Sequence, residues 1–180
     1  MVITYLVYIA VTGNRVIVHL LVFALAANLP QLATDWYHAR VVETLVYDYA
    51  WFRVLETPDY IMAGWGFAFL QLGYLILRLK GRIGLGGLTA LVVIGGTLVH
   101  AWYEEMAYQA DAWRYVNASL VGHVSHWVIV SFTLIIASIC PLVARLEGRR
   151  WPWWVMGGLV NGALIFVYSA VCVALFRYVG

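Results

Sequence analysis

The sequence predicts an all-α integral membrane protein, a single bundle of five transmembrane helices over residues 1–180, and three observations carry that prediction. Of the 180 residues, 64% are hydrophobic and 11% charged, a balance that a water-soluble domain of this size does not tolerate. Five uncharged runs have the roughly 20-residue length that a bilayer crossing needs. The basic residues fall at every second boundary between those runs.

The elements follow in chain order. A short apolar run, Val2 to Val11, closes at Thr12-Gly13-Asn14-Arg15. It is too short to span and lacks the basic start of a signal peptide, so it reads as interfacial or as a helical extension. The spans are Val16 to Ala33, Tyr60 to Leu77, Ile83 to Tyr103, Leu120 to Ala144 and Val155 to Phe176. Between the first two, residues 35–57 carry Val42, Leu45, Tyr49 and Phe52 at helical spacing, which predicts an amphipathic interfacial helix. Thr57-Pro58 then reads as a cap and first-turn proline for the second span. The Gly pairs 86-87, 95-96 and 157-158 suit close helix packing.

Short loops rich in Lys and Arg stay cytoplasmic. Arg15, then Arg78, Lys80 and Arg82, then Arg145, Arg149 and Arg150 alternate with boundaries that hold eight acids: Asp35, Glu43, Asp48, Glu56, Asp59, Glu104, Glu105 and Asp111. Arg40, Arg53, Arg114 and Arg177 are the basic residues on that acidic side, and Glu147 is the lone acid on the other. The expectation is N-terminus in, C-terminus out, with the acidic face outside, in a prokaryotic inner (plasma) membrane. Nine Trp and twelve Tyr suit the level where hydrocarbon meets headgroup. Cys140 and Cys172 sit inside apolar runs, without metal spacing or a loop position for a structural disulfide. A net charge of +2 and the absence of a long basic run argue against nucleic acid as a partner.

Ionisable residues at membrane depth are costly and normally turn inward toward partners, water or a ligand. His38, His100, His123 and His126 all fall near the acidic face. His100 and Glu104 are four apart and share one helix face, and His123 and His126, three apart, share another. The first expectation is a transition-metal site (Cu, Fe or Zn) with His100, Glu104, His123 and His126 as ligands. Asp35, His38, Glu105, Asp111 and Asn161 would support it from behind. It would serve a membrane enzyme, or the site-bearing subunit of one, acting on a small apolar or lipid substrate. The second is metal-free acid–base chemistry, an isomerase or cyclase of an isoprenoid or sterol-like lipid, with His100 and Glu104 handling the proton. The third is an electron-transfer or pigment subunit with histidines as axial ligands to haem or a chlorin. Homo-oligomers or partner membrane subunits fit any of these. Against all of them stands the plain alternative, that boundary histidines and acids hydrogen-bond one another and anchor helix ends. His19 lies at the other end of the first span and reads as structural. Asn161, Tyr168 and Ser169 suit inter-helix hydrogen bonding. Asn117-Ala118-Ser119 matches a glycosylation sequon, a short pattern that arises readily by chance.

Two partial resemblances bear on these residues. The His100-x3-Glu104 pair, Trp113-Arg114-Tyr115 and the run His126-Trp127-Val128-Ile129-Val130 resemble the emopamil-binding sterol isomerases, which implies five spans and a proton moved on a sterol. That family's Glu-x2-Thr in the next helix is replaced here by His123 and His126. The chain order is a long amphipathic loop, a span, a basic turn, a span ending in His then Glu-Glu, and a span opening on His. That order resembles the metal-bearing C subunit of membrane methane and ammonia monooxygenases, which implies a metal. Here Asp35-x2-His38 stands where that family has Asp-x3-His, and His100 and His123 are farther apart. Each resemblance covers under half of the chain, and neither assigns a family.

Overall fold

The computed structural model describes residues 2–176, and they are mostly helical. Four helices are long and apolar enough to cross a membrane. The order is α1 (Val2–Thr12), α2 (Arg15–Trp36) running into a π-helical turn (Tyr37–Val41), α3 (Asp59–Gln109), α4 (His126–Leu146) and α5 (Trp151–Phe176). Asn14 stops α1 from merging with α2. Its side-chain oxygen accepts from the backbone N–H of Val16 at 3.1 Å and of Ile17 at 3.4 Å, satisfying two of the orphan donors at the start of α2.

Helix α3 is 51 residues long, about 76 Å if it were straight. It is not straight. Gly84 adopts φ 71°, ψ 160°, a conformation open to glycine and strained for any other residue. The helix doubles back there, and the Tyr60 hydroxyl near its start donates to the Ala112 carbonyl just past its end at 2.9 Å. The two arms, residues 59–83 and 85–109, correspond to two of the apolar runs. Lys80, near the bend, pairs with Glu147 after α4.

The core lies between these helices. Leu20, Phe23, Ile76, Leu88, Ile139, Trp154 and Ile165 are fully or almost fully buried in one cluster. Burying a large side chain of this kind stabilises by about 1.5–3 kcal/mol where the reference is water. Within a membrane the gain comes instead from close packing. A Cβ at Gly158 or Gly162 of α5 would run into the backbone oxygens of Phe23 or Ala27 on α2, so these glycines set how near the two helices come. At Gly96 and Gly157 a Cβ would meet only the side-chain ends of Ile136 and Leu146, whereas Gly86, Gly87 and Gly95 face open space. The packing role expected of the 86-87 pair is therefore corrected. Cys140 and Cys172 are buried, free thiols.

The loops at one end of the bundle are strands, not helix. Leu45–Tyr47 (β1) pairs antiparallel with Trp113–Tyr115 (β4), Arg53–Val54 (β2) with Thr57–Pro58 (β3), and Leu120–Val121 (β5) with Val124–Ser125 (β6). The all-α expectation is corrected to that extent, and so is the amphipathic helix expected over residues 35–57. Leu45 and Tyr47 are buried on one side of β1, while Tyr49 and Phe52 are exposed. Within β1 the more exposed Val46 alternates with them, the period of two that a strand imposes, made favourable by a partner strand far along the chain, whereas Tyr49 and Phe52 lie beyond the strand. Glu43 and Leu55 take positive φ where the chain leaves the π turn and rounds the β2–β3 hairpin. Thr57 is buried in β3, and α3 starts after Pro58 with no side-chain cap, so the capping role expected of Thr57 is corrected. Arg177 lies outside the described residues.

Candidate functional site

The cavity lies at this ribbon end, between α2, both arms of α3, α4 and α5, and amounts to about 80 Å³, room for several waters or part of a small ligand. Helix α3 contributes His100 and Glu104, one turn apart on the face that packs toward α4. His100 Nε2 lies 3.2 Å from Glu104 Oε1. The imidazole is fixed by stacking flat on Phe132 of α4, with ring centroids 3.4 Å apart and planes 7° apart. The other carboxyl oxygen, Oε2, accepts from Trp113 Nε1 at 2.7 Å and from the Tyr115 hydroxyl at 2.6 Å. Both donors come from β4, where alternate residues face inward and Arg114 between them points out to Asp48, 2.6 Å away.

Helix α2 supplies the opposite wall. Gln31, Thr34, Asp35 and His38 recur at i, i+3, i+4 and i+7, which places them on one stripe, and all four are buried. Gln31 Nε2 donates to Asp35 Oδ2 at 2.8 Å. His38 Nδ1 lies 3.2 Å from Thr44 Oγ1, and its ring stacks on Trp127 with centroids 4.0 Å apart. Tyr47 of β1 sits beside Asp35. Its phenol is held well above the ordinary range, first by burial and then by the Asp35 charge. Tyr115 is raised in the same sense, by burial and then by Glu104. Both phenols therefore keep their protons at neutral pH and can donate. Among the described residues, no Lys or Arg pairs with Asp35 or Glu104. Arg114 goes to Asp48, and Arg40 and Arg53 go to Glu56.

The structure divides the residues expected to form one site. Glu104, His100, Asp35 and His38 line one cavity. His123 does not join them. It sits in the β5–β6 turn after Gly122 (φ 62°), pairs with the exposed Glu105 through Nδ1 at 2.8 Å and stacks on Tyr108. His126 is the first residue of α4, its Nδ1 3.0 Å from Ser119 Oγ and its ring toward Phe176. The shared face expected for His123 and His126 needs both inside one helix, and α4 begins only at His126. The four-residue ligand set His100, Glu104, His123 and His126 thus does not converge, and among the described residues no three His, Cys, Asp or Glu side chains gather as a ligand set. Asp111 is exposed in the turn after α3, at φ 53°. Asn161 is buried on α5 outside the cavity lining, and among the described residues neither of its amide atoms has a hydrogen-bond partner. His19 stacks on Trp154 in the other half of the bundle.

Sequence reasoning missed Gln31, Thr34, Tyr47, Trp113, Tyr115 and Trp127 as parts of a site. For α2 the signal was present in the 31, 34, 35, 38 stripe. For Trp113 and Tyr115 it was their alternation around Arg114.

A family model described as a domain of unknown function (DUF6989) matches residues 32–176, most of the chain, and the chain belongs to that family. No curated protein and no solved structure matches it.

Proposed function

We propose that this DUF6989 chain is a membrane-embedded acid–base enzyme, an isomerase or cyclase of a small isoprenoid-like lipid. The observation that carries the reading is the Glu104 carboxyl, buried in an aromatic-walled cavity with His100, Trp113 and Tyr115 fixed on its two oxygens. Three positioned partners hold one carboxyl rotamer, which is what proton transfer to a carbon requires. Glu104 in its acid form delivers a proton to an alkene carbon of the substrate. The resulting carbocation lies among the rings of Trp65, Phe132 and Trp127, whose faces favour positive charge. Asp35 as carboxylate removes a proton from a neighbouring carbon, so that one proton enters and one leaves, and the double bond has moved or closed a ring. The proton returns from Asp35 to Glu104 through the Tyr47 and Tyr115 hydroxyls that flank them.

The bundle crosses the membrane five times in this reading, because the two arms of α3 each match an apolar run. The alternation of basic and acidic boundaries supports N-in, C-out, with the cavity near the outer face of a prokaryotic inner membrane.

The test is proton exchange at carbon. Purified protein in lipid nanodiscs, given neutral isoprenoids in heavy water, should introduce deuterium at an alkene-adjacent position. Glu104→Gln keeps the shape and the Trp113 and Tyr115 bonds and should be slower by about 100-fold or more. Exchange at the wild-type rate in Glu104→Gln would overturn the reading.

A further inference from the structure

Residues that line the cavity carry polar atoms that the proton chemistry does not use. Among the described residues, four buried side-chain atoms without a hydrogen-bond partner belong to residues that line it: Gln31 Oε1, Thr34 Oγ1, His38 Nε2 and Trp127 Nε1. Their residues are 1%, 5%, 1% and 6% exposed. Buried polar groups are nearly always paired, and an unpaired one calls for an unseen partner. Four on the residues of a single cavity with room for more than a water point to a guest that pairs with some of them, and a hydroxyl, with one proton and two lone pairs, pairs with up to three.

The chemistry of the four atoms specifies that partner. The Trp127 indole is a donor only. Gln31 has committed its amide nitrogen to Asp35, so its free oxygen is an acceptor only. Thr34 makes no bond back to its own helix and can serve either way. His38 is held by Thr44 and by the flat stack on Trp127, so its free Nε2 has a set direction. One donor beside acceptors is the complement of a hydroxyl, which accepts and donates at once. A carbonyl or ether oxygen would leave the Gln31 oxygen without a proton. A carboxylate or phosphate has no charge to meet here, since the described Arg side chains on the nearby loops are paired elsewhere.

We infer that the α2–α4 wall of the cavity, through Gln31, Thr34, His38 and Trp127, binds the hydroxyl of a neutral lipid alcohol. The substrate class is thereby narrowed from isoprenoid-like lipids to their alcohols. This inference rests on the acid–base reading for calling that alcohol a substrate, while the binding itself does not. The hydroxyl is gripped by α2 and α4, and the carbon chain lies toward Glu104 on α3. The polar end of the molecule is thus fixed relative to the alkene that receives the proton.

The test is binding without turnover. Geraniol and geranyl methyl ether have almost the same shape and differ in the O–H proton. Their affinities for the nanodisc-embedded protein are read by tryptophan fluorescence. Wild type should bind the alcohol about tenfold tighter than the ether. The double variant Thr34→Val, Trp127→Phe retains the volume of one side chain and the stacking ring of the other, and should bring the ratio close to one. Glu104→Gln should keep the wild-type ratio, so a failure of the proton chemistry leaves this result standing. Equal affinity of the two probes in wild type, or no binding of either, would mean that the four atoms are satisfied by water and would overturn the inference. Loss of preference in Glu104→Gln would assign the hydroxyl to the wrong wall, with the same effect.

Discussion

Glu104 and Glu105 are neighbours in the chain, and each holds a histidine, yet the two pairs live in different solvents. A step of one residue turns a helix by about 100°, enough to carry Glu104 into the cavity with His100, Trp113 and Tyr115 while Glu105 stays at the surface with Gln109 and His123. Among the described residues the buried carboxyl has three fixed partners and no Lys or Arg. The exposed one ties a helix end to the β5–β6 turn, accepting also from the backbone N–H of His123 at 3.3 Å. Identical residue types thus serve as a candidate reaction centre and as a loop anchor, and burial decides which.

The largest expected difference between the pairs is in rate. Glu104→Gln should slow deuterium exchange by about 100-fold or more, whereas Glu105→Gln should leave it within about twofold. Comparable losses in both would erase the contrast. Stability comes next. Trp113→Phe deprives the buried Oε2 of an indole N–H and should cost about 1–3 kcal/mol, read as a lower thermal midpoint in detergent. His123→Ala should leave that midpoint unchanged, because water replaces the imidazole on an exposed carboxylate. The phenols around the buried pair give a smaller, pH-dependent effect. Folding raises the Tyr47 and Tyr115 values above that of an unfolded phenol, about 10. The folded chain therefore holds these protons more tightly. Their contribution is intact below about pH 10 and declines as pH rises toward the folded values. A melting series across that window should show the decline, and Tyr47→Phe should make it shallower. Last comes an expected null. The metal content of the purified protein, by elemental analysis, should be the same in wild type and His123→Ala, since His123 stands apart from the cavity. A loss in the variant would reunite the two pairs in one site.

The long apolar helices were readable because they depend on local composition. Val16 to Ala33 falls within α2, Val155 to Phe176 within α5, Tyr60 to Leu77 within the first arm of α3, and Ile83 to Tyr103 starts at the Gly84 bend and fills most of the second arm. The start of α4 was missed by six residues, since Leu120–Ser125 are apolar enough to extend a span but pair as β5 and β6. The β1–β4 ribbon was out of reach for the same physical reason. Val42, Leu45, Tyr49 and Phe52 satisfy a helical period, and nothing nearby in the chain reveals that Trp113–Tyr115 offer Leu45–Tyr47 a better partner. His100 and Glu104 were legible as a pair because one helix turn separates them. The α2 stripe was obscured by ending the first span at Ala33, before Thr34, Asp35 and His38 could join Gln31 as one face.

The β1–β4 ribbon has a consequence for how the chain is made. Asp48 and Arg114, which clasp its margin, are 66 positions apart, and pairings of such separation form late because a long loop must first be closed. Tyr47, Trp113 and Tyr115 reach their carboxyls only through this ribbon. A chain in which α2 alone has folded, or in which α3 has not doubled back at Gly84, therefore leaves these carboxyls without those donors. The pairing of Glu104 with Trp113 and Tyr115 therefore waits for the ribbon to close, and the cavity's carboxyls gain their donors late in folding.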